Sequence, residues 1–189
     1  MSRLVTNAIR STAASSDAMT IDSAGKPSFP NGGVGKILQV KQTVKTDSAS
    51  STADSFTNIG PTVAITPSSN SNKVLVRFTF VGFGSNDNWS HYFRLARGGT
   101  GIGVATDGSN RTLAGTVIDT YGGGSLSFIQ TSFEFLDSPS TTSATTYSIQ
   151  HKRADSGAGT FYMGRNDNDS DNANLARFPS IITALEVAA

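Results

Sequence analysis

The chain has 189 residues, 37% of them hydrophobic, and its 15 Lys and Arg against 14 Asp and Glu give a formal charge of +1. Cysteine is absent, which excludes a disulfide framework, thiolate metal sites and a cysteine nucleophile, and the scattered basic residues leave no electrostatic footprint for nucleic acid. This length suits one ordinary domain with at most a short appendage, and 19 Gly with abundant Ser, Thr and Asn favour short strands and many turns.

Residues 1–20 lack the apolar stretch of a secretion leader, and nowhere do about 18 apolar residues run together. The expectation is a soluble protein made in a cytoplasm, without membrane insertion. Residues 3–10 suit a short helix or strand, residues 11–16 are small and polar, residues 19–22 form a short extended piece, and residues 25–33 read as a Pro/Gly hinge. Such a segment buries too little to fold alone. Residues 1–33 therefore read, in preference to a frayed tail, as an attachment arm whose apolar pegs, Leu4, Ile9, Met19, Ile21 and Phe29, are buried by a partner or by neighbouring copies.

From residue 35 onward, strand signals arrive at fairly even spacing. In residues 37–45, Leu38, Val40 and Val44 share a face opposite Lys41, Thr43 and Lys45. Residues 47–54 form a polar loop, and residues 56–59 and 61–66 read as two short strands. The densest apolar run is 73–83, which places Val74, Val76, Phe78 and Phe80 on one face and Leu75, Arg77, Thr79, Val81 and Phe83 on the other. One face suits a core, the other a second surface such as another subunit. Further strands are expected at 89–97, 100–104, 112–118 and 126–136, the last with Ile129, Thr131, Phe133 and Phe135 together. The series ends with 145–152, 160–163 and 180–187, where Ile181, Leu185 and Val187 share a face. About ten strands with no helical period after residue 33 predict an all-β fold, a jelly-roll-like antiparallel sandwich over residues 34–189 behind an extended N-terminal arm.

The residues offer little chemistry. Asp167, Asp169 and Asp171 alternate in the manner of oxygen ligands for calcium, but Asn172 stands where an EF-hand needs Gly and Phe178 where it needs Glu. A solvated turn is the simpler reading, and a calcium site completed elsewhere stays open. His91 and His151 lie in expected strands outside any metal or nucleophile motif, which suits hydrogen-bonded structural roles. Glu134, Asp119 and Asp137 are nominal carboxylates for glycoside hydrolysis, yet no facing pair is legible. The chain reads as no enzyme, with no cofactor and no metal. Asn88, Trp89 and Tyr92 combine aromatic plates with an amide, the mixture that a carbohydrate surface uses, and a core tryptophan at the start of a strand is the equal alternative for Trp89.

Residues 136–150, Leu-Asp-Ser-Pro-Ser-Thr-Thr-Ser-Ala-Thr-Thr-Tyr-Ser-Ile-Gln, resemble a segment of small β-domain virion proteins of tailed bacteriophages, especially phages of marine bacteria and cyanobacteria. Residues 35–42 resemble the opening of such a domain, Asn110-Arg111-Thr112 its middle and residues 181–187 its closing strand. Residues 17–25 and 29–32 are similar to the attachment arms that precede these domains. The resemblance implies a non-enzymatic virion protein, usually trimeric, found in fibres or as surface decoration. The expectation is a short trimeric fibre that adheres to host surface glycan, with tail, portal-vertex or capsid proteins as partners and Phe-bearing strand faces near the three-fold axis. The alternative is a capsid decoration or cement protein that stabilises the head shell.

Overall fold

The computed structural model describes residues 7–10, 12, 17–25, 27–28, 36–86, 89–120 and 127–189. In the arm, β1 (Ala8–Ile9), β2 (Met19–Ile21) and β3 (Pro27–Ser28) form a small antiparallel sheet in that order. The stretch expected as a hinge thus contributes a strand: Ile21 pairs with Pro27, and Asp22 accepts from the backbone of Ala24 and Gly25 to close the turn between them.

The head is built from β4 (Ile37–Lys45), β5 (Ala49–Ser51), β6 (Thr57–Ile65), β7 (Lys73–Gly84), β8 (Ser90–Arg97), β9 (Thr100–Ile102), β10 (Thr116–Asp119), β11 (Ile129–Asp137), β12 (Thr145–Arg153), β13 (Phe161–Met163) and β14 (Ser180–Val187). All pairings are antiparallel. A six-stranded sheet runs β4-β14-β7-β11, with β13 and β5 extending it past the end of β14. A five-stranded sheet runs β10-β8-β12-β6, with β9 beside β8. Counting the principal strands β4, β6, β7, β8, β10, β11, β12 and β14 from first to eighth, one sheet reads first, eighth, third, sixth and the other second, seventh, fourth, fifth. That is the order of a jelly roll made of two Greek keys.

The core forms where the inward faces meet. Val74, Val76, Phe78 and Phe80 of β7 pack with Ile182 and Ala184 of β14, Phe93 and Leu95 of β8, and Tyr147 and Ile149 of β12. Phe161 lies edge-on to Phe93 at 4.8 Å and to Phe80 at 6.0 Å between ring centres. This corrects the expected placement of the phenylalanine faces: Phe78 and Phe80 are only 1% exposed within the chain's own core, so they have no surface to bring to a symmetry axis.

Two further differences have local causes. Residues 56–59 and 61–66 were expected as two strands, but β6 is continuous. Gly60 takes φ +79°, and residues 59–61 bulge opposite Ile149 between the Asn58–Gln150 and Thr62–Ser148 pairs. The polar loop expected over 47–54 contains β5, whose small residues pair with β13 from Ala49 opposite Met163 to Ser51 opposite Phe161.

Candidate functional site

The outer face of the six-stranded sheet is the surface that stands out. In β4, Gln39, Thr43 and Lys45 are half-buried on the inner side, where Lys41 shares their register but is exposed, while Val40 and Val44 point outward at 57% and 47% exposure. Register carries this apolar character across the sheet: Val40 lies beside Leu185, Leu185 beside Leu75, and Leu75 beside Leu136, itself 45% exposed. The next row reads Gln42, Thr183, Arg77, Glu134, and the one after it Val44, Ile181, Thr79, Ser132. Gln42 donates to Thr183 Oγ1 at 3.0 Å, and an open trough of about 640 Å³ follows these polar residues. Sequence periodicity found the two apolar sets on β4 and β14, but not that both face outward.

The outer face of the five-stranded sheet is polar and pre-organised. Arg94 stacks its guanidinium 4.0 Å over Phe56 and donates to Gln150, and Gln150 in turn reaches Asn58 Oδ1 and the Gly99 carbonyl. Burial lowers the Arg94 pKa from its ordinary value. Lys152 donates to Thr112 at 3.1 Å. Tyr92 belongs to this face, between Lys152 and Val117 in register. Trp89 stands an odd number of residues from Tyr92 along extended chain, which directs the two side chains to opposite faces. Its indole packs on Gly157, where an added Cβ would lie 2.7 Å away, and its carbonyl accepts from Thr120. Asn88 lies outside the described residues, so the structure does not gather the three expected glycan contacts.

Of the expected arm pegs, Ile9 is 48% exposed, Met19 and Ile21 are half-buried, and Leu4 and Phe29 lie outside the described residues. The nominal carboxylates separate completely. Glu134 is on the outer face of one sheet, Asp119 on that of the other, and Asp137 is buried between them. Asp137 accepts from Arg97 at 2.9 and 2.8 Å and from the Tyr147 hydroxyl at 2.7 Å, tying the two sheets at one end. Burial, then the bond to this carboxylate, push the Tyr147 phenol far above its ordinary value.

The acidic loop holds itself together. Asp169 pairs with Arg177 and with Arg165, and Arg165 lies 3.9 Å over the Tyr162 ring. Asn168 accepts from the backbone and hydroxyl of Ser170. Among the described residues no three acidic or imidazole side chains come together to hold a metal ion. No protein-family model matches the chain, and no curated protein sequence matches it.

Proposed function

We propose that the chain is a structural protein of a tailed-bacteriophage particle, a short homotrimeric fibre whose N-terminal arm docks on the particle and whose jelly-roll head adheres to the host surface, with glycan as the ligand class. The observation that carries this reading is the apolar row Val40, Leu185, Leu75, Leu136 on a folded head, exposed at its ends, Val40 and Leu136, and half-buried between them. A sandwich with a complete core has no internal use for a second apolar sheet face, and such surfaces mark contacts with other molecules. The arm, with its own small sheet and few apolar residues, suits docking rather than support of the head core.

For adhesion, Tyr92 is the better candidate of the expected contacts, since it shares a face with the stacked Arg94–Phe56 pair and the amides of Asn58 and Gln150. An aromatic face covers a sugar ring while neighbouring amides bond its hydroxyls. Trp89 acts through the loop it packs against Gly157. The alternative, a cement protein, draws on the same apolar row, which would then lie on the shell. Adsorption and heat resistance of particles lacking the protein separate the two. A fibre predicts particles of normal heat resistance that adsorb poorly, and a Tyr92→Ala head that binds host cells more weakly. Fragile particles that adsorb normally would establish the cement role instead.

A further inference from the structure

We propose that the outer face of the six-stranded sheet is where copies of this chain pack against one another, with Arg77 of one copy meeting Glu134 of the next. The inference rests on the reading of the protein as an assembled head and names the face that assembles it.

The first argument is the orientation of β4. A strand that served only its own sandwich would turn Val40 and Val44 inward and Lys41 and Lys45 to solvent. A slip of one residue accomplishes that exchange, because side chains alternate with period two. The observed register does the opposite from Ser180–Lys45 to Glu186–Gln39, and the apolar set stays outside. An edge strand with exposed valines is also an aggregation hazard unless something covers it. The sequence therefore specifies burial from beyond the chain.

The second argument identifies the occupant. Arg77 and Glu134 are exposed cross-strand neighbours in the row beside the apolar one, and among the described residues neither joins an ion pair. A surface that sets Arg77 beside Glu134, with an apolar row along one side, complements itself. A membrane surface or a nucleic acid would find Glu134 unfavourable, whereas another copy supplies a partner for each charge. The size is adequate as well. Four strands ~4.8 Å apart and nine residues long at ~3.3 Å each present about 600 Å² per copy, close to the ~800 Å² that each partner gives to a standard interface.

The test is the mass of the full chain in solution. Light scattering at micromolar concentration should give a multiple of 19.7 kDa. Val40→Lys and Leu136→Glu should each reduce it to the single-chain mass while cooperative melting persists. Val117→Lys should leave the assembly intact, since Val117 is similarly exposed, at 46%, but lies on the other sheet. A single-chain mass for the unmodified protein overturns the proposal. Assembly that persists in both folded variants also overturns it, and leaves an assembled head held by some other face. A measurement that tolerates poor folding of those variants uses the absence of native cysteine: Leu136→Cys should react with a soluble thiol reagent about 10-fold more slowly than Val117→Cys, because thiol chemistry follows access. Equal rates would contradict the buried face.

Discussion

His91 Nδ1 lies 3.1 Å from His151 Nε2 with both rings fully buried, and the other nitrogen of His151 meets Ser51 Oγ at 2.9 Å. The two imidazoles stand in sequence 60 residues apart but are neighbours in register, since His151 faces Phe93 and Arg153 faces His91. They lie against Phe161, the β13 residue that pairs with Ser51 of β5. A hydrogen bond between two imidazoles needs one donor and one acceptor nitrogen, so at least one ring in the pair stays neutral.

Acid stability follows. Desolvation lowers the His91 pKa from 6.5 to about 4, with the Ala158 backbone opposing and Arg153 assisting. Desolvation, then His91 and Arg153, lower that of His151 to about 3. The unfolded chain therefore takes up these protons first as pH falls. Stability from the pair is complete above about pH 6.5 and is lost on acidification toward pH 4, by about 3 kcal/mol for one such imidazole. Melting curves recorded between pH 7 and pH 4 should show this loss, and His151→Gln should flatten it. A melting temperature independent of pH across that window would refute the assignment.

Glu186 supplies a second buried anchor. It is 1% exposed and accepts from Gln39 Nε2, Asn72 Nδ2 and both the backbone and hydroxyl of Ser68, at 2.6 to 2.7 Å. Burial alone would raise its pKa, but these donors outweigh it and bring the carboxyl down to about 2. The stabilisation is present above the ordinary value of 4.5 and disappears as pH falls toward 2. Glu186→Ala should destabilise the head by about 3 kcal/mol, because it removes the acceptor of the Ser68 backbone N–H and one of the two acceptors of Asn72 Nδ2. Denaturant unfolding measures this, and an effect below about 1 kcal/mol would show that water replaces the carboxylate.

Removal of residues 1–33 should leave a head that melts cooperatively and keeps its oligomeric mass, yet no longer joins particles. The described arm strands pair with one another, and among the described residues those of the buried core lie in the head. Calorimetry of the truncated chain decides the matter: loss of a cooperative transition would place part of the folding unit in the arm.

Much of the fold was legible because period-two alternation is direct where one face is buried. The inward set Val74, Val76, Phe78, Phe80 and the β11 set Ile129, Thr131, Phe133, Phe135 could be read from sequence. Alternation does not say which face turns inward when both faces of a strand carry apolar residues. On β14, Ile181, Leu185 and Val187 form the more obvious apolar set, yet the inward one is Ser180, Ile182, Ala184 and Glu186. The pairing of His91 with His151, and of Asp137 with Arg97 and Tyr147, depends on strand neighbours distant in sequence. Side-chain periodicity within one strand carries no such information. Trp89 and Tyr92 looked like one platform because they are close in sequence, but their odd separation on extended chain divides them.

The most direct test of the account is to label the protein on purified phage particles and locate the label by electron microscopy. The account predicts label at a fixed position on intact particles, and its loss when residues 1–33 are deleted. Purified particles that carry no label, from infections in which the protein is expressed, would contradict it.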